Sequence, residues 1–141
     1  MNDIDFSSEF GKHAALRLES EIVIWLTTIG GNDQPNPNPV WFIWRNNRMI
    51  VLSCPTASKV KAIQRNPKVA LSFNSSLSGG DVMIFNGIAD AEEKSLDPMD
   101  AAAFLIKYRD GIERLGSTPE KFAAEYSRVI TIDLHKLRGF V

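Results

Sequence analysis

The chain has 141 residues, 44% of them hydrophobic and 23% charged, with 16 basic and 17 acidic side chains. That size fits one compact domain, 1–141, of ordinary globular composition; the near-neutral charge argues against a nucleic-acid coat, and no apolar run approaches the roughly 20 residues that cross a bilayer. The single cysteine, Cys54, excludes an internal disulfide, His13 and His135 have no metal-ligand spacing, and the acidic start MNDIDFSSEF is unlike a leader, so a cytoplasmic protein without a metal site is expected.

From about Ser8 to Ser20 the composition is helical, with Ser7 or Ser8 as cap and Phe10, Ala14 and Leu18 at four-residue spacing. EIVIWLTTI is dense in β-branched residues, GGND reads as a turn, and PNPNPVWFIW follows as the second arm of a hairpin. Strand N–H groups alternate between the two lateral edges, so Pro35, Pro37 and Pro39 remove donors from one edge and leave Asn36 and Asn38 to pair on the other. The bare edge must face something other than a strand. RNNR is a second turn and MIVLSC a third strand, in which Cys54 is read as a buried thiol. KVALSF and DVMIFNGIADA give two more strands around the loop SSLSGG. Asp97 and Pro98 open a helix that buries Phe104, Leu105 and Tyr108; Ser117 and Glu120 have capping-box spacing for another, with Pro119 near its start. RVITIDLHKLRGF closes the chain as a strand. The sum is about six antiparallel strands in a small barrel carrying three or four helices.

The segment SCPTASKVKAIQRNP carries the chemistry. Thr56 or Ser58 can cap a short helix that Asn66 ends, because Pro67 disfavours helical backbone in the residue before it. Between Asp33 and Asp81 no acid occurs, while Arg45, Arg48, Lys59, Lys61, Arg65 and Lys68 are basic. Lysines in a first helical turn oppose the dipole, which favours acids there by about 0.3–1 kcal/mol each. A phosphate held by Lys59, the Ser58 and Thr56 hydroxyls and the open N–H groups would satisfy all of these partners. The alternative is a solvated helix face whose Val60 and Ile63 pack inward, and spacing alone weighs the two alike. Pro39, Val40, Trp41 and Phe42 tip the balance, since they offer either core packing or an apolar slot beside an anion clamp.

The order PNPNPVWF, then SCPTASKVKAIQRNPKVALSF, then GIADA, closed by KLRGF, resembles the pyridoxamine 5'-phosphate oxidase-like FMN-binding split-barrel family, and within it the small deazaflavin (coenzyme F-420)-dependent oxidoreductases. The resemblance implies a mainly β fold, a six-stranded antiparallel split β-barrel, forming a homodimer with cofactor sites along the interface. It implies FMN or deazaflavin as cofactor and hydride or electron transfer to a small molecule. By similarity Lys59 and Ser58 bind the cofactor phosphate with Thr56 and Ser53 nearby, and Asn38, Pro39, Val40 and Trp41 line the ring. The deazaflavin's glutamyl tail would meet Lys61, Arg65 and Lys68, and the second subunit would bring Arg138 and Phe140. No catalytic side chain is named, because the cofactor does the chemistry. The sequence lacks the C-terminal arginine and histidine motif of vitamin B6 oxidation. A flavin or haem carrier without turnover is the alternative; a single-strand nucleic-acid binder stacking bases on Trp25, Trp41 and Trp44 is a third reading.

Overall fold

The computed structural model describes residues 3–141. Helix α1 (Glu9–Ser20) begins at the expected cap, where the Ser8 hydroxyl accepts from the Gly11 N–H and satisfies one of the donors that a helix start leaves open. Strands β1 (Ile24–Ile29) and β2 (Pro35–Val40) form the expected hairpin around a 3-10 turn at Gly31–Asp33. In it Asn36 faces Thr28 and Asn38 faces Leu26. The prolines therefore put their missing donors on the outer side, and β2 is an edge of the sheet.

The proline-led strand is not continuous. It stops at Val40, and β3 (Ile43–Arg45) resumes after Trp41 and Phe42, pairing with β4 (Arg48–Ser53) instead of β1. This break makes seven strands of the expected six. Its cause lies in α3 (Pro98–Arg114). The Tyr108 hydroxyl accepts from the Phe42 N–H at 2.9 Å and donates to the Ile22 carbonyl at 2.7 Å, while Lys107 Nζ donates to the Phe42 carbonyl at 2.8 Å. Side chains thus supply the bonds that a strand neighbour would have made, as a buried backbone requires.

The remaining elements are α2 (Ser58–Arg65), β5 (Lys68–Ser72), β6 (Val82–Asp90), α4 (Pro119–Glu125) and β7 (Arg128–Phe140). All seven strands form one antiparallel sheet in the order β2-β1-β5-β6-β7-β4-β3. Because the two edge strands are joined through Trp41 and Phe42, the sheet must curl until its edges nearly meet. The chain has a split barrel. Asn46 and Asn47, with φ of 53° and 57°, supply the left-handed pair that a tight β3–β4 hairpin needs.

Two apolar clusters follow. The barrel interior holds Leu26, Phe42, Met49, Leu71, Phe85 and Ile130, with α1 adding Leu18 and α2 adding Val60 and Ile63. Outside β3 and β4, Ile43, Ile50 and Val129 pack under Phe104, Tyr108 and Phe122 of α3 and α4. Asp97 caps α3 with Pro98 in its first turn, as expected. In α4 the cap is Thr118, one residue after the expected Ser117, with its hydroxyl accepting from the Lys121 N–H. Leu105 is half-buried where burial was expected. Among the described residues no helix is long and apolar enough to cross a membrane.

Candidate functional site

Helix α2 ends at Asn66 as expected, but its start differs. Ala57 is the cap and has no side chain to close the first turn, so neither Thr56 nor Ser58 serves that role. Ser58 and Lys59 become the first two helical residues, and no acid lies in that turn. Their N–H groups have no carbonyl within the helix. The positive end of α2 is thus uncapped and carries a cation.

Lys59 is half-buried on the wall of a cleft of about 200 Å³ shared with Pro39, Val40, Trp41, Leu52, Phe104, Leu115, Phe122 and Tyr126. The strand break explains the cleft. Where β2 leaves β1, Trp41 turns outward, stacks on Tyr108 at 4.5 Å and on Phe122 at 5.6 Å, and presses against Gly111, where an added Cβ would sit 2.9 Å from Cη2. Phe122 in turn stacks on Tyr126 at 4.4 Å. The result is a wall of flat rings with one ammonium at its margin. Burial raises the Tyr126 phenol above its ordinary range, with Cys54 and Glu125 adding to the shift.

Four of the expected ligand residues, Pro39, Val40, Trp41 and Lys59, therefore line one cleft. Ser58 and Arg65 face the other flank of α2. Arg65 donates to the carbonyls of Ile29 and Gly30, which fastens α2 to the β1–β2 turn. Thr56 is exposed in the turn before α2, and Asn38 is exposed on the edge strand. Ser53 is 1% exposed, and its hydroxyl donates to the Cys54 carbonyl, so it does not line the cleft. Cys54 is half-buried rather than enclosed. Arg138 stands opposite Ile84 on β7, while Ser53 stands opposite Arg128 at the strand's other end. Ten residues of strand separate those two places by about 30 Å.

Leu52, Phe104, Leu115, Phe122 and Tyr126 complete the cleft and were not among the expected residues. Their segment, α3 and α4, reads only as amphipathic helix, and nothing local tells which apolar side chains face a cavity. Among the described residues no group of three or more metal-ligating side chains occurs. His13 is bound to Asp81 at 2.8 Å.

The model of one protein family, pyridoxamine 5'-phosphate oxidase, matches residues 10–139. Among solved structures the fold is similar to an F420 reductase (23% identity, 86% of this chain and 92% of that one, TM-score 0.61). It is also similar to a FAD-binding protein from Mesorhizobium loti (11% identity, 89% and 88%, TM-score 0.67). A third likeness is to HutZ, the haem storage protein of Vibrio cholerae (13% identity, 94% and 95%, TM-score 0.67). No curated protein matches the sequence. At these identities the structures speak for the fold alone, but the family match spans nearly the whole barrel and both flanks of the α2 start: the chain belongs to the pyridoxamine 5'-phosphate oxidase family.

Proposed function

We propose that the protein is a flavin-nucleotide-binding oxidoreductase that takes FMN or the deazaflavin coenzyme and passes hydride or electrons to a small molecule. The observation that carries this reading is the meeting of Lys59 and the uncapped start of α2 with the ring-lined cleft of Pro39, Val40 and Trp41. The first suits a phosphate, and the second offers a flat apolar wall for one face of a planar ring. Bound there, the cofactor supplies the redox chemistry. The chain would orient it: Lys59 and the N–H groups of Ser58 and Lys59 hold the anion, while Val40, Trp41 and Leu52 exclude water from one ring face.

A cleft of about 200 Å³ is smaller than the roughly 300–1,000 Å³ of a usual ligand pocket. A second copy would supply the rest. Pro39, Trp25, Ser72, Ile84 and Arg138 stand in one cross-strand row, where Trp25 is 36% exposed. A homodimer formed there would bring the partner's outer strands toward Pro39. In this reading Arg138 serves the site of the other copy.

Haem carriage is less well supported, because among the described residues no histidine lines the cleft to ligate iron. Flavin carriage without turnover keeps some support, since among the described residues Lys59 and Tyr126 are the only titratable groups on the cleft wall. Titrating FMN and the deazaflavin coenzyme separately into apoprotein, followed by visible absorbance, tests the reading. Failure of both to bind ends it, and binding without reduction of any member of a substrate panel leaves a carrier.

A further inference from the structure

Lys107 differs from the other lysines of the chain in where its amine lies. Lys12, Lys61, Lys68, Lys121 and Lys136 are exposed. Lys94 is half-buried but pairs with Asp90 at 3.3 Å, and Lys59 borders the cleft. Lys107 is also half-buried, and the partners that hold its amine are uncharged: Nζ lies 3.8 Å from the centre of the Phe42 ring and 5.3 Å from that of Tyr108, and donates to the Phe42 carbonyl at 2.8 Å. Among the described residues no carboxylate forms an ion pair with it. The acid whose charge reaches it is Glu21 at the end of α1, which is engaged by Arg17 at 3.3 Å. Tyr108, the other titratable group facing it, stays neutral because burial raises its phenol.

An amine packed on rings with no counter-charge beside it holds its proton weakly, and burial, partly offset by Glu21, lowers the Lys107 ammonium to about 8. At pH 7.5 roughly a quarter of it is then neutral, against about one in a thousand for an ordinary lysine. One N–H suffices for the Phe42 carbonyl, which also has the Tyr108 hydroxyl at 2.9 Å, so the lone pair of the neutral amine is free to react. We infer that Lys107 is a site of N-acylation, the preferred one in this chain, taking its acyl group from a small activated donor, an acyl phosphate or an acyl thioester. The lone pair attacks the acyl carbon and forms the C–N bond. The bond from that carbon to the phosphate oxygen or thiol sulfur breaks, its electron pair leaves on the phosphate or thiolate, and the proton shed by nitrogen passes to solvent. The amide so formed keeps one N–H for the Phe42 carbonyl but takes the positive charge off the Phe42 ring. Phe42 follows Trp41 and Lys107 precedes Tyr108, so the mark falls on the joint between barrel and cleft wall. The inference does not depend on the cofactor reading.

Incubating the full chain at pH 7.5 with limiting acetyl phosphate or, separately, with acetyl-coenzyme A, followed by peptide mass spectrometry, ranks the lysines by rate. Lys107 should be acetylated several-fold faster than the exposed lysines by at least one donor, and the donor that does so names the source of the acyl group. With that donor its rate should level off above about pH 8, while the rates of the exposed lysines go on rising toward pH 10. In the urea-unfolded chain both differences should vanish. The proposal is overturned by the absence of any preference for Lys107 with either donor, by a Lys107 rate that climbs with pH as the others do, or by a preference that survives unfolding and so belongs to local sequence instead of the ring-packed position.

Discussion

Trp41 and Tyr108 lie ring on ring, with centroids 4.5 Å apart and planes 8° from parallel. The side chain that satisfies the broken strand at Phe42 is thereby also the backing of the candidate site. Barrel closure and cleft geometry depend on the same contact. Whatever moves α3 should therefore change the ring slot as well as stability.

Tyr108→Phe tests the first half of that coupling. The ring and its stacking remain, but the Phe42 N–H loses its acceptor and the Ile22 carbonyl its donor. Leaving such groups unpaired in a site that is 2% exposed should cost about 1–3 kcal/mol. Denaturant unfolding reads this as a lower midpoint at unchanged slope; an unchanged midpoint would mean that the hydroxyl does not hold the corner.

Gly111→Ala tests the second half. In a helix interior alanine is favoured by about 1 kcal/mol, but here its Cβ would come within 2.9 Å of Trp41 Cη2. That indole is stacked between Tyr108 and Phe122 and cannot swing freely, so overpacking of about 1–3 kcal/mol should win. The expected outcome is a less stable protein with altered tryptophan fluorescence and weaker cofactor binding. A gain in stability with unchanged binding would show that Trp41 moves at no cost.

Much of this framework is legible along the chain, because its signals are local. Asp97 and Pro98 open α3, Asn66 before Pro67 closes α2, and Asn46–Asn47 turns the β3–β4 hairpin, each through backbone preferences of one or two residues. The break at Trp41–Phe42 is not legible, since nothing between Pro35 and Trp44 announces it; it is imposed by Tyr108, 66 residues away. The same holds for the cleft. Lys59 and Trp41 stand out by charge and size, whereas Leu52, Phe104 and Phe122 become wall residues only when α3 and α4 fold over β4. The cap of α4 falls one residue after the expected Ser117, as adjacent Ser and Thr give equivalent local signals, whereas α2 starts from Ala57, which has no capping side chain to announce it.

Lys107 gives a pH dependence of defined sign. Burial, partly offset by Glu21, lowers its ammonium from the ordinary 10.5 to about 8, although Nζ lies 3.8 Å over the Phe42 ring. Between about pH 8 and 10.5 the unfolded chain then binds more protons than the native one, so stability rises with pH across that interval. Tyr108 acts in the opposite sense above its ordinary 10.0, because burial raises its phenol and the native state keeps a proton that the unfolded state loses. Melting temperature should increase from pH 8 toward 10 and then decline. Lys107→Met should remove most of the rise; an identical slope in that variant would assign the rise to other groups.

Lys59→Ala separates a binding role from a structural one. In the apoprotein Lys59 makes no ion pair with any of the described residues, and it opposes the helix dipole in the first turn of α2, where a cation is unfavourable by about 0.3–1 kcal/mol. Its removal should leave the melting temperature of the apoprotein unchanged or slightly higher. With cofactor present the balance reverses, because a charge-assisted hydrogen bond to phosphate is worth about 1.5–3 kcal/mol. The cofactor Kd should rise to that extent, and the thermal stabilisation by saturating cofactor should shrink with it. Paired titrations and melting curves give both quantities from one preparation. A variant that melts lower as apoprotein yet binds cofactor as wild type does would make Lys59 a structural residue and remove the phosphate from the start of α2.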